Sequence, residues 1–185
     1  VSGLFVAIVG PSGAGKDTLI RALAQRFSDD PHFAAVKRVV TRASDAHEDH
    51  DTLDPQAFDA RARAGGFALT WAAHGLRYGV PIEVDKGLAF GMTLVCNLSR
   101  SAVAEARSRW PEVLTAQIIA RPETLAARLA ARGREAPADL RSRLERASFA
   151  DVALIADATI ENDGELEDAV YRLSALIRLR RTGAA

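Results

Sequence analysis

Leu4-Phe5-Val6-Ala7-Ile8-Val9-Gly10-Pro11-Ser12-Gly13-Ala14-Gly15-Lys16-Asp17-Thr18 joins an apolar run to a glycine-rich turn, a lysine and a hydroxyl residue. The run Leu4 to Val9 reads as a short, fully apolar strand. After the turn, Leu19, Ile20, Leu23 and Phe27 recur at helical spacing, which predicts a helix from Thr18 to Phe27. Between strand and helix, Gly10, Gly15 and Lys16 fit the phosphate-loop frame G-x-x-x-x-G-K-[ST], except that Asp17 stands where a hydroxyl belongs. Gly10, Gly13 and Gly15 allow backbone conformations closed to other residues, so successive N–H groups turn inward around an anion. The helix N-terminus behind them adds free donors and its dipole. Lys16 then reaches the β- and γ-phosphates of a nucleotide. A plain glycine turn needs neither that lysine nor a helix in register.

The chain of 185 residues, 48% of them hydrophobic, is long enough for one domain with a full core. No apolar run is long enough to span a membrane, and no signal-peptide pattern opens the chain, so no membrane partner is expected. Cys96 is the single cysteine, set in the apolar run Thr93-Leu94-Val95-Cys96, and reads as a buried strand residue. It cannot form an internal disulfide, and a reducing cytoplasm is the expected setting. Lys and Arg together number 24 and Asp and Glu 24, a balance that argues against a nucleic-acid partner held by bulk charge. Only Lys16, Lys37 and Lys86 are lysines. The remaining cations are arginines, whose planar fork grips phosphate in two places.

Further along, Phe33 to Thr41 reads as a second strand and Arg42 to Asp54 as a polar surface loop. Pro55 to Ala64 reads as a helix closed by Gly65-Gly66. Phe67 to Ala73 and Leu76 to Val80 read as two short strands joined at His74-Gly75. A helix from Pro81 ends at Gly91, a strand spans Thr93 to Asn97, and a helix over Ser101 to Arg109 stops at Pro111. A strand from Leu114 to Ala120 precedes a helix from Pro122 to about Arg132, then a break at Gly133 and a helix from Ala138 to about Ala150. A strand near Ala158 to Glu161, a turn at Asn162-Asp163-Gly164 and a helix from Leu166 to Leu179 finish the pattern. The alternation predicts an α/β fold with a parallel sheet of five strands flanked by helices. The expected layout is one domain with its core in 1–41, 81–131 and 151–185, a β-rich acceptor-binding insert in 42–80, and a helical lid in 132–150.

With these pieces placed, nearly the whole chain resembles the guanylate-kinase-like branch of the P-loop kinases. The loop Gly10 to Lys16 matches that branch. Thr41-Arg42 and Tyr78-Gly79 match its acceptor-phosphate residues, Arg132-Gly133 and Arg143-Leu144 its lid, and Asn162-Asp163 the turn near the adenine of ATP. The departures are specific. A glutamate that reads the guanine edge is Leu69 here, a hydroxyl residue after Tyr-Gly is Val80, and a second phosphate-holding arginine is Asp45. Aliphatic groups in place of polar contacts reject a ligand whose hydrogen bonds then go unmet, so GMP is not the expected acceptor.

An acceptor with phosphate but no base fits better. The chain resembles the ribose 1,5-bisphosphate phosphokinase family of phosphonate degradation, whose loop likewise carries Gly-Lys-Asp, as Gly15-Lys16-Asp17 does. That resemblance implies transfer of the γ-phosphoryl group of ATP to ribose 1,5-bisphosphate, giving 5-phosphoribosyl 1-diphosphate and ADP, with Mg²⁺ as cofactor. The small-molecule sugar phosphate is then the expected partner. A guanylate kinase or other small-acceptor kinase, and a non-catalytic binding module of the same fold, are the alternatives.

The residue roles follow from that resemblance. Lys16, Arg132 and Arg143 are the expected catalytic cations, with Arg134 beside them in the lid. Gly10, Pro11, Ser12, Gly13, Ala14, Gly15, Lys16, Asp17 and Thr18, with Asn162 and Asp163, form the expected ATP site. Arg42, Tyr78 and Arg77 are the expected acceptor residues, and Glu48, Asp49, His50 and Asp51 form an acid-rich cluster on a loop. Asp17 is the expected Mg²⁺ ligand, because a hard cation takes carboxylate oxygen. Thr18 lies about 100° further round the helix, away from that place. Asn97 ends a strand where related kinases carry an aspartate, so the carboxylate is expected to have moved from strand end to loop.

Overall fold

A computed structural model describes residues 2–43, 50–131 and 156–183. In chain order the elements are β1 (Leu4–Val9), α1 (Lys16–Arg26), β2 (Phe33–Ala35), β3 (Arg38–Val40), β4 (His50–Thr52) and α2 (Pro55–Arg63). There follow β5 (Phe67–Ala73), β6 (Leu76–Pro81), α3 (Glu83–Ala89), β7 (Thr93–Asn97) and α4 (Val103–Arg109). The last are β8 (Val113–Ile119), α5 (Pro122–Ala131), β9 (Ala158–Glu161) and α6 (Leu166–Arg181).

The larger sheet has five strands in the order β2-β7-β1-β8-β9, and every pairing in it is parallel. β1 is central, and its pleat divides an all-apolar run between two cores. Leu4, Val6 and Ile8 face Leu19 and Leu23 of α1 and Leu173 and Ile177 of α6. Phe5, Ala7 and Val9 face Val84 and Leu88 of α3, Val103 and Ala106 of α4, and Trp110. Both faces of the sheet are thus covered, which is why no polar residue interrupts β1. The strand order reverses at β1, with β7 on one side and β8 on the other. In open α/β sheets the crevice beyond the carboxyl ends at such a point takes the ligand.

A second sheet of four strands has the order β4-β3-β6-β5. β5 and β6 form a hairpin whose turn residues His74 and Gly75 have φ of 53° and 72°, as a two-residue turn with both central residues left-handed requires.

Two sequence expectations change here. The single strand read over Phe33 to Thr41 is two strands in different sheets. Val36 N still donates to Val95 O at 2.8 Å, but from Arg38 onward the chain pairs with β4 and β6. The apolar pattern is continuous across the change of partner, so the pattern conceals it. The second sheet consequently takes in Arg38–Val40, upstream of the 42–80 segment. Within the segment read as a polar loop, His50–Thr52 is an edge strand parallel to β3. Backbone pairing to β3 holds it without an apolar run, and only His50 is turned inward. The expected break at Gly133 and the helix over 138–150 lie outside the described residues.

Candidate active site

The phosphate loop leaves the carboxyl end of β1 and closes at the first turn of α1. Gly10, Gly13 and Gly15 have φ of 144°, 86° and 85°, values open to glycine at little cost. At Gly15 the space is also filled: a Cβ there would lie 2.6 Å from Nδ2 of Asn162. Lys16 folds back over the loop, its Nζ donating to the carbonyls of Gly10 and Pro11 at 2.8 Å each. A cation is thereby held above a ring of backbone amides at a helix N-terminus, an arrangement that suits a polyphosphate.

Asn162 is buried, and its Nδ2 donates to the carbonyl of Ala14 at 2.7 Å. Its side chain braces the loop from the end of β9, while its N–H donates to Ile119 O at 2.9 Å. Asp163 accepts the backbone N–H of Arg121 at 2.8 Å just ahead of α5. A hydrogen bond from the Thr124 side chain, then that from Arg121 N, holds the Asp163 carboxyl below the usual range. These two residues tie β9 to the loop and to α5.

Asp17 lies in the first turn of α1, half-buried, and Thr18 beside it is exposed. Asn97 is buried at the end of β7, where Ile8 of β1 is its register partner. From there its Nδ2 donates to Oδ1 of Asp17 at 2.8 Å. The carboxylate thus reaches the strand end it was expected to have left, through an amide that orients it. With one oxygen occupied by that amide, the other is free in chemistry to serve as a hard ligand. The donor set of Lys16, the loop amides and Asp17 therefore fits a magnesium–nucleotide pair.

The residues expected to hold the acceptor lie on or beside the second sheet. Tyr78 of β6 pairs with Val40 of β3, and Arg42 follows two residues later, so both belong to one rim. Thr41 fastens this rim: its N–H donates to Arg77 O at 3.1 Å and its hydroxyl accepts from Arg77 N at 2.9 Å. Trp71, paired with Tyr78 across the hairpin, stacks on its ring with centroids 5.3 Å apart and planes at 4°. Trp71 is half-buried against the second core. Leu69 and Val80 are opposite each other on β5 and β6, 1% and 0% exposed. They form an aliphatic floor.

Arg77 is exposed, and its guanidinium is ion-paired with Asp59 of α2. Another arginine, unassigned in the sequence reading, faces the tyrosine. The guanidinium of Arg38 lies over the Tyr78 ring, 5.6 Å from its centroid. On β7, burial pushes the Cys96 thiol up to about 12, while the Arg38 charge opposes that rise and the Asp17 charge adds to it. Arg38 and Asp17 therefore both reach the same strand end electrostatically.

A second unassigned cation is Arg128 of α5. A Cβ on Gly15 would lie 3.7 Å from its Nη1, and this buried atom has no hydrogen-bond partner among the described residues. The sequence carried one signal for it: Arg128 is four residues before Arg132, on the same side of a helix. Arg132, Arg134, Arg143, Asp45, Glu48 and Asp49 lie outside the described residues. Asp51 is exposed on β4.

The fold is that of guanylate kinase: the crystal structure of guanylate kinase from Anaplasma phagocytophilum superimposes with a TM-score of 0.72 at 19% identity. That likeness covers 97% of this chain and 87% of that one. No protein-family model matches the chain. Among curated proteins, ribose 1,5-bisphosphate phosphokinase PhnN of Methylobacterium radiotolerans is 45% identical over 176 residues, 95% of this chain and 98% of the relative. The protein of the same name from Burkholderia mallei is 44% identical over 173 residues, 93% of this chain and 94% of the relative. That from Agrobacterium fabrum is 43% identical over 165 residues, 89% of this chain and 90% of the relative. With this identity running through almost all of both partners, the chain belongs to the ribose 1,5-bisphosphate phosphokinase family.

Proposed function

We propose that this protein transfers the γ-phosphoryl group of ATP to ribose 1,5-bisphosphate, giving 5-phosphoribosyl 1-diphosphate and ADP in phosphonate catabolism in the cytoplasm. The observation that carries the choice of acceptor is the pair Leu69 and Val80, buried opposite each other on the hairpin that carries Tyr78. A purine laid on two aliphatic side chains would leave its polar edge without partners, at a cost of about 1–3 kcal/mol for each unmet group. A sugar carrying only phosphates and hydroxyls does not depend on that floor for recognition.

Phosphoryl transfer needs positioning and charge stabilisation far more than covalent help from the protein. Lys16 and the loop amides hold the β- and γ-phosphates, with Pro11, Ser12, Ala14 and Thr18 completing the loop around them. Asn162 and Asp163 support that loop and the start of α5. Arg42 and the Tyr78 hydroxyl hold the reacting phosphate of the acceptor, and Arg77 stands at the edge of that rim. The lid cations Arg132 and Arg143 neutralise charge spreading onto the transferring oxygens. Asp17 would hold magnesium, which would supply charge compensation for the donor phosphates.

The test is direct. Purified protein with magnesium and ATP is offered ribose 1,5-bisphosphate, ribose 5-phosphate and GMP, and ADP release is followed. Fastest turnover is expected with ribose 1,5-bisphosphate. Faster turnover of GMP would overturn the proposal, and turnover of none of the three would favour a binding module.

A further inference from the structure

A half-buried cation needs an anion, and Arg38 has none among the described residues. It sits on β3, flanked by the fully buried Val39 and Val40, and its side chain is half-shielded from water. Among the described residues no carboxylate pairs with it. Comparably shielded arginines do have such partners: Arg61 faces Glu83 at 3.6 Å and Arg180 faces Glu112 at 3.7 Å. Among the described residues it contacts the Tyr78 ring, which accepts a cation on its face and does not use the N–H fork.

The surroundings say what would use that fork. The pleat sets Arg38 and Val40 on one face of β3, and Tyr78 is the register partner of Val40. Arg38, Tyr78 and Trp71 thus follow one another across that face, ring on ring and guanidinium on ring. The charge of Arg38 is also felt at Cys96, next to Asn97 and so to the loop that binds the donor. Arg38 thus stands on the face of the second sheet that carries Tyr78 and Val40. On that sheet Leu69 and Val80 are aliphatic and buried, so the Arg38 guanidinium is a cation among apolar neighbours. Planar and permanently charged, it matches phosphate in a two-point geometry. The reacting phosphate already has Arg42 and the Tyr78 hydroxyl, and Arg77 is committed to Asp59.

We propose that Arg38 binds the phosphate of the acceptor that does not react, and so selects sugar bisphosphates over monophosphates. The assignment rests on the acceptor being ribose 1,5-bisphosphate. A cation among aliphatic side chains attracts a compact dianion more strongly than it attracts an uncharged group.

The experiment is a cycle that deletes the arginine on one side and the phosphate on the other. Binding of ribose 1,5-bisphosphate and of ribose 1-phosphate is measured by calorimetry for the wild type, Arg38→Met and Arg38→Lys, alongside ATP affinity. The wild type is expected to favour the bisphosphate. In Arg38→Met that preference falls by about thirtyfold, the range of a hydrogen-bonded charge pair, with ribose 1-phosphate and ATP bound as before. Arg38→Lys recovers part of the preference, because it restores the charge without the fork. Equal weakening of both sugar phosphates in Arg38→Met, or a preference left intact, would overturn the assignment. Retained ATP binding certifies that a variant is folded, and if Arg38→Met loses it, Arg38→Gln carries the same comparison. A wild type that binds no ribose 1,5-bisphosphate overturns the proposed function, and this assignment with it.

Discussion

Asn97 at the end of β7 donates its side-chain amide to Oδ1 of Asp17 in the first turn of α1, at 2.8 Å across 80 residues of chain. The contact exists because β1 and β7 are neighbouring parallel strands with Ile8 beside Asn97, which brings the strand end against the loop. An amide cannot carry the charge a metal needs, but it can fix the rotamer of a carboxylate that does.

Asp17→Ser restores the hydroxyl of the usual loop motif and removes the charge. Activity is expected to fall about a hundredfold, with saturating magnesium failing to restore it. Asn97→Ala should cost about tenfold and raise the magnesium requirement, because the carboxylate stays but loses its orientation. Manganese binding to the protein–ATP complex reads the same effect apart from turnover. Wild-type activity of Asp17→Ser at saturating magnesium would remove Asp17 from the metal site.

Lys16 Nζ donates to the carbonyls of Gly10 and Pro11, which hold the cation over the phosphate loop. Lys16→Met is expected to lower kcat by about a thousandfold while leaving the circular dichroism spectrum unchanged. A variant with near-normal kcat would contradict the role assigned to it.

The brace between Asn162 and the loop gives a stability prediction. Gly15→Ala adds a Cβ 2.6 Å from Asn162 Nδ2 at a residue with φ of 85°, so both sterics and backbone oppose it. A loss of about 2 kcal/mol is expected, together with weaker ATP binding. Asn162→Ala leaves the Ala14 carbonyl without its buried donor, for about 1–2 kcal/mol. Urea denaturation measures both.

Asp85 of α3 accepts from Arg109 Nε at 3.1 Å and from the Trp110 indole at 2.8 Å, tying α3 to the end of α4. The Arg109 hydrogen bond, against the opposing cost of burial, holds the Asp85 carboxyl below its ordinary 3.8. The folded state therefore releases this proton more readily than the unfolded chain. The stabilisation is fully present above pH 3.8 and disappears as pH falls through the lower folded value. Because the pair is about one-third exposed, Asp85→Asn should cost only about 0.5–1 kcal/mol at pH 7. The difference in urea midpoint from wild type should close in strong acid.

Local chemistry was legible along the chain. The run Leu4 to Val9, the glycines of the loop and the helical spacing of Leu19 and Leu23 specify a strand, an anion cradle and a helix, because each depends on residues within a few positions of one another. The change of sheet after Val36 was not legible, since Val39 and Val40 are as apolar as a continued strand would be. Nor was β4, whose hydrogen bonds to β3 depend on backbone proximity and leave no apolar signature. The residues of the site divide the same way. Lys16 and Asp17 announced themselves by spacing, while Arg38 read as one arginine among many.

Sequence alone determined that a phosphate loop sits between a buried strand and a helix, and that Leu69 and Val80 replace polar groups with aliphatic ones. Tertiary structure decided which distant groups meet. Asn97 reaches Asp17 through strand adjacency, Arg38 reaches Tyr78 through β3 joining the second sheet, and Arg77 is drawn to Asp59. Composition and periodicity report what a residue is and which side it buries. Its partner across the fold is set by strand order and register, which no local pattern encodes.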